Sequence, residues 1–109
     1  MNHHDPATRI GMTILDQLGG MSRLRLMVGM KDLCITERGA CFKIGSGAKR
    51  KINTVWIQLL PDDTYEVRFE RIWGGKHTTL ETWPGVYADM LLELFEQRTG
   101  FYLTLAPRA

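Results

Sequence analysis

The chain has two cysteines, four prolines and no apolar run longer than three residues in its 109 positions. Two thiols cannot build a disulfide scaffold, and a chain of this length can bury a core without one. Runs such as Met90-Leu91-Leu92 fall far short of the ~20 residues of a membrane span, so no membrane partner is expected. Met1-Asn2-His3-His4-Asp5 is polar and no apolar core follows it, which does not match a secretory signal. A cytoplasmic protein with both cysteines as thiols is therefore expected. Repeats and Pro- or Ser-rich linkers are also missing. What remains is 44% apolar and 24% charged, the balance of one soluble globular domain over 1–109, with 1–5 and 106–109 expected to fray. The net charge of +2 hides an asymmetry. Residues 1–60 hold nine basic and four acidic side chains, and residues 61–109 hold five and eight.

Asp5-Pro6 has the pattern of an N-cap with proline at the first helical position. Ile10, Ile14, Leu15 and Leu18 then make a helical stripe, which Gly19-Gly20 ends. Ser22 can cap a second helix carrying Leu24, Met27 and Val28, but Leu24, Leu26 and Val28 also alternate, so a strand is the alternative. The middle of the chain predicts a meander. A turn at Arg38-Gly39 pairs Ile35 with Phe42 and Leu33 with Ile44. The loop Pro61-Asp62-Asp63 pairs Leu59 with Tyr65, Ile57 with Val67 and Val55 with Phe69, with aspartate tolerating the last, left-handed position. Gly74-Gly75 pairs Trp73 with Lys76 and Phe69 with Leu80. After a last strand to about Trp83, a helix is expected beyond Pro84-Gly85, with a stripe of Tyr87, Met90, Leu91, Leu94 and Phe95 and a stop at Gly100. Phe101, Leu103 and Leu105 predict an extended tail packed on the body. The fold class is α+β: a five-stranded antiparallel meander with N-terminal and C-terminal helices packed on one face.

These registers also name an outer face. Trp56 faces Arg68, and Arg68 faces Glu81. Thr54, Glu70 and Thr79 form one neighbouring row, and Gln58, Glu66 and Trp83 another. Ile72 faces His77, with Cys41 and Lys43 joining from the earlier hairpin. A tryptophan among threonine, glutamine and arginine is not placed there by core packing, and Arg68 can lie over its ring. The sharpest local motif is Gly45-Ser46-Gly47-Ala48-Lys49-Arg50-Lys51, three cations after a pliable turn that can reach phosphates. It lacks the Gly-Lys-Ser/Thr ending of a nucleotide-binding P-loop, and as a bare hairpin tip it would serve solubility alone.

Catalytic and metal chemistry find little support. Pro61-Asp62 with Glu66-Val67-Arg68 partly matches a metal-dependent nuclease pattern, but the gap is short and arginine replaces the activating lysine. His3, His4, Cys34, Cys41 and His77 do not have the spacing of a metal site, and the two cysteines lie diagonally in the expected register, a poor disulfide geometry. No nucleophile has a base beside it. No enzyme activity and no cofactor are expected. Asp89, Glu93 and Glu96 are expected on the solvated face of the last helix.

Five blocks carry a resemblance. Ile14-Leu15-Asp16-Gln17-Leu18-Gly19-Gly20, Met27-Val28-Gly29-Met30-Lys31-Asp32-Leu33, Phe42-Lys43-Ile44, Asp63-Thr64-Tyr65-Glu66-Val67, and Pro84-Gly85-Val86-Tyr87-Ala88-Asp89-Met90-Leu91 with Thr99-Gly100 are similar to a family of small uncharacterised proteins of bacteriophages, prophages and mobile elements. The resemblance covers residues ~10–105. It implies action in the cytoplasm of a bacterial host and no known chemistry. Together these readings predict a non-enzymatic accessory protein that binds nucleic acid, with Lys43, Lys49, Arg50 and Lys51 on phosphates, Trp56 as a stacking surface and Arg68 supporting it. The alternative is a protein-binding module, with a host or phage protein as its partner: an inhibitor of a host protein, or a homodimer through the outer sheet face. For it, Glu66, Glu70, Glu81, Asp89, Glu93 and Glu96 offer charge to a basic partner.

Overall fold

A computed structural model describes residues 6–103. The chain runs α1 (Pro6–Gln17), α2 (Met21–Val28), β1 (Lys31–Thr36), β2 (Gly39–Lys43), a 3-10 turn at Lys49–Lys51, β3 (Thr54–Leu59), β4 (Tyr65–Trp73), β5 (Lys76–Val86), a second 3-10 turn at Ala88–Met90 and α3 (Leu91–Thr99). The five strands form one antiparallel sheet in sequence order, as expected for an α+β meander. Helices from both ends of the chain cover one face. The apolar positions of that face (Phe42, Val55, Ile57, Val67 and Phe69) bury against Ile14, Leu15, Leu18, Leu24, Leu91, Phe95 and Leu103. The segment 21–28 is a helix, because burying Leu24 and Val28 on one side outweighs the alternation of Leu24, Leu26 and Val28. Its N-cap is Gly20 rather than Ser22, and Leu26 is left 87% exposed. Among the described residues no helix is long and apolar enough to cross a membrane. Asp5, His3, His4 and Leu105 lie outside the described residues.

The β3–β4 hairpin has the expected register, Leu59 with Tyr65, Ile57 with Val67 and Val55 with Phe69. Asp63 takes the left-handed turn position with φ 65, and Asp62 Oδ1 accepts both the N–H and the hydroxyl of Thr64. Two other registers correct the expectation. In the first hairpin Ile35 pairs with Ala40 and Cys34 with Cys41, so the turn is Glu37-Arg38 and not Arg38-Gly39. Gly39 is not a turn residue because β3 passes too close to it: a methyl on its Cα would stand 1.9 Å from Ile57 O. The two cysteines therefore face one another directly rather than diagonally. The slip is by two residues, so every side chain keeps its face and the alternation could not reveal it.

In the last hairpin Trp73 pairs with Lys76, Ile72 with His77 and Glu70 with Thr79, as expected. A bulge then inserts Leu80, so that Phe69 meets Glu81 and Arg68 meets Thr82. Glu81 and Trp83 turn to the helix side, which corrects their expected place on the outer face beside Arg68 and Glu66. A second irregularity at Pro84-Gly85 lets β5 run on to Val86, so the strand continues where a helix was expected. Proline is tolerated there because β5 is an edge strand. Tyr87 and Met90 are consequently 61% and 50% exposed, and the buried stripe of α3 begins at Leu91. Glu96, expected on the solvated face, is fully buried and accepts the Leu103 N–H at 2.7 Å, fastening the extended tail under the helix.

Candidate nucleic-acid interface

The basic loop is built from its two ends. Gly45 N–H donates to Val28 O and Ile44 N–H to Asn53 O, closing the base. Ala48 and Ile52 are buried and anchor the loop in the core. Between them Lys49–Lys51 makes two overlapping turns, closed by Lys51 N–H on Ala48 O and Ile52 N–H on Lys49 O, and kinked because Arg50 and Lys51 have φ 57 and 59. Left-handed backbone costs a non-glycine residue about 1–2 kcal/mol, so two in succession need support from elsewhere. Lys49 donates from Nζ to Gln97 O at 3.4 Å and lies with its stem over Gly100. Arg50 Nη1 donates to Glu81 Oε2 at 2.9 Å. The loop is thus docked on α3 and β5 rather than free at a hairpin tip, and two of its three cations are already engaged.

Glu81 is the hub of that docking. Its carboxylate accepts two bonds from Arg98, at 2.7 and 2.8 Å, one from Trp83 Nε1 at 2.8 Å and the one from Arg50. The Arg98 guanidinium also lies 5.5 Å from the Trp83 ring centroid. Arg98 above all, against the opposing effect of burial and with Trp83 and Arg50 adding to it, holds the Glu81 carboxyl down at about 2 from an ordinary 4.5. A lowered folded-state pKa means stability that is complete above the ordinary value and lost as pH falls toward the lowered one. The protein is therefore expected to lose about 3 kcal/mol between pH ~4.5 and ~2 through this group. Urea midpoints measured across that range check it, and Glu81→Gln should flatten the acid limb while lowering the midpoint at pH 7.

Beside the loop, between it and the tip of the β4–β5 hairpin, opens a cleft of about 520 Å³. Ala48 and Ile52 form its floor, and Gly47, Lys51, Asn53, Arg71 and Trp73 its walls. Asn53 holds one wall rigid: its Oδ1 accepts the Ile72 N–H at 2.9 Å and its Nδ2 donates to Ile72 O at 2.8 Å, so the side-chain amide pairs with β4 as a strand residue would. Trp73 stands 72% exposed at the mouth. Among the described residues neither Lys51 nor Arg71 has an ion pair or a hydrogen bond from its side chain. Two unneutralised cations and an exposed indole around a concave, rigid-walled cleft can take an anionic group that carries a flat ring.

The other predicted residues lie on the opposite face of the sheet. Trp56 is paired with Cys41 and Arg68, and the Arg68 guanidinium covers its ring at 5.1 Å. Its Nε1 is buried without an acceptor among the described residues. Lys43 pairs with Asp32 at 3.4 Å. In the same row as Lys43, across Thr54, sits Glu70, 2% exposed although it faces away from the helices, bonded to His77 Nε2 and Thr79 Oγ1, with Arg68 3.9 Å away. The six predicted residues thus fall into two groups. Lys49, Arg50 and Lys51 share the helix side with the cleft, while Lys43, Trp56 and Arg68 share the outer face. Sequence reasoning missed Asn53, Arg71 and Trp73. A signal for two of them was present: alternation from Phe69 puts Arg71 and Trp73 on the core face, and an arginine there requires the helices to stop short of the hairpin tip.

Among the described residues no three His, Cys, Asp or Glu side chains converge as metal ligands. Comparison of the chain with known protein families, with curated proteins and with solved structures gives no match.

Proposed function

We propose that this chain is a non-enzymatic accessory protein that binds single-stranded nucleic acid in the cleft between the basic loop and the β4–β5 hairpin. The observation that carries the reading is the pair of cations, Lys51 and Arg71, that have no partner among the described residues and face one cleft with the exposed ring of Trp73. Lys51 and Arg71 hold backbone phosphate, Trp73 stacks a base, and Lys49 and Arg50 add positive potential from the docked part of the loop. A single strand fits better than a duplex, because a concave site admits an unstacked base, whereas duplex reading needs a projecting helix or ribbon. Stacking on an aromatic is worth about 1–3 kcal/mol per base, so modest affinity is expected. Within the same proposal the protein acts in the cytoplasm of a bacterial host, the setting implied by its resemblance to phage and mobile-element proteins.

The test is a titration of a labelled single-stranded oligonucleotide at low and high salt, followed by anisotropy. Binding that weakens with salt, and weakens about 5- to 150-fold in Trp73→Ala, is the expected result. No binding at low salt overturns the reading. In that case the protein-partner alternative is favoured by the exposed apolar side chains Trp83, Tyr87 and Met90 around the end of β5, and size exclusion with the protein alone reads out a homodimer.

A further inference from the structure

Cys34 and Cys41 are register partners on adjacent antiparallel strands, so their side chains leave the same, outer face of the sheet. The hydrogen bonds that β2 makes with β3 fix the kind of pair. Leu59 N–H donates to Arg38 O and Ile44 N–H to Asn53 O. The even-numbered residues of β2 therefore turn their amides to β3, and Cys41 turns its own to β1. In such a hydrogen-bonded pair the Cα atoms stand about 5.5 Å apart, inside the 4.4–6.8 Å range that a disulfide spans. The side chains start somewhat farther apart than in a relaxed bridge, so closure needs one strand to give. β1 can do so: it is an edge strand, and its ladder is interrupted between Lys31 and Cys34. The two thiols also differ in access, Cys34 being exposed and Cys41 half-buried beside Trp56.

We infer that Cys34 and Cys41 form a modification site for low-molecular-weight disulfides such as glutathione disulfide, which close the pair into a cross-strand disulfide. The Cys34 thiolate attacks one sulfur of the oxidant, forming a mixed disulfide and releasing one glutathione thiolate. The Cys41 sulfur, having given its proton to solvent, then attacks the Cys34 sulfur and expels the second glutathione as thiolate. The two protein thiols are oxidised by two electrons and the oxidant is reduced to two thiols. Burial first, and then the neighbouring Cys34 and Glu70, push the Cys41 thiol up to about 11, which assigns the first attack to Cys34 and the resolving step to Cys41. The bridge is strained by the pair geometry and so is readily reduced again.

The experiment incubates the full chain with glutathione disulfide, counts free thiols, and measures the intact mass. The expected result is a fall from two free thiols per chain to none, with a mass lower by two hydrogens, an unchanged elution volume and full reversal by dithiothreitol. Cys41→Ser should accumulate the mixed disulfide at Cys34, and Cys34→Ser should react at least about tenfold more slowly than the parent. A mixed disulfide at Cys34 that persists in the parent chain overturns the inference, as do disulfide-linked dimers or two thiols that remain titratable throughout.

Discussion

Gly39→Val is expected to leave a chain without a cooperative unfolding transition, and Gly39→Ala one destabilised by about 4 kcal/mol or more. The reason lies in how closely β3 on one side and α1 on the other approach β2 at this point. A Cβ on Gly39 would stand 1.9 Å from Ile57 O and 2.9 Å from Gln58 Cα, both backbone atoms of the neighbouring strand. No rotamer relieves a backbone contact, so β2 would have to leave the ladder with β3 or move away from it. Gly39 cannot move the other way either, because Gly11 of α1 lies against its carbonyl: a Cβ on Gly11 would be 2.9 Å from Gly39 O and 2.8 Å from Ile35 Cδ1. Gly11→Ala therefore pits a helix-propensity gain of about 1 kcal/mol against a crowded contact. It should come out destabilising, but by less than Gly39→Ala, since the Ile35 side chain can yield and the one backbone contact, 2.9 Å to Gly39 O, is far less severe than the 1.9 Å contact of Gly39 with Ile57 O. Urea unfolding followed by circular dichroism orders the three variants. A Gly39→Ala chain within about 1 kcal/mol of the parent would contradict the observed turn at Glu37-Arg38.

The same glycine shows where the sequence misleads. Glycine next to arginine between two alternating segments has the composition of a turn, and the two-residue slip that follows from placing it there preserves every inward and outward assignment. In this first hairpin faces were legible while partners were not, which is why the core, the sheet order and the α+β class follow from periodicity but the opposition of Cys34 and Cys41 does not. Leu80 misleads differently. A bulge leaves no mark on alternation at its own position, yet it inverts the face of the residues that follow, here as far as the second irregularity at Pro84-Gly85, and so Glu81 lies not on the sheet's outer face but on the helix side, as the anchor of the basic loop. Neither Arg98 nor Arg50 signals this, because both are distant in sequence and the ion pairs arise only once α3 is docked. Of the candidate site, the loop was visible as a charge run. The cleft was not, since it depends on a hairpin longer than the helices that cover the sheet.

That geometry makes the charge-reversed double variant Lys51→Glu with Arg71→Glu the decisive one for binding. Each charge-assisted contact to phosphate is worth about 1.5–3 kcal/mol, so removing two weakens binding by two orders of magnitude or more, and reversal adds repulsion. No measurable binding of a single-stranded oligonucleotide is the expected result. Two phosphate contacts give the parent a slope of about −1.4 in log affinity against log salt, a loss of about 25-fold over a tenfold rise in salt. Each single variant should reduce that slope by about half. Thermal stability should change little, because neither cation has a partner among the described residues whose loss would be felt. Lys43→Glu serves as the comparison, being a charge reversal of the same kind on the opposite face of the sheet. If Lys43→Glu abolishes binding and the double variant does not, the strand runs over Trp56 and Arg68, and the cleft is not the site. If the double variant alone abolishes it, the loop and the hairpin tip act as one surface, joined by the Glu81 carboxylate that holds Arg50 and with it the left-handed turn that sets Lys51 in the cleft wall.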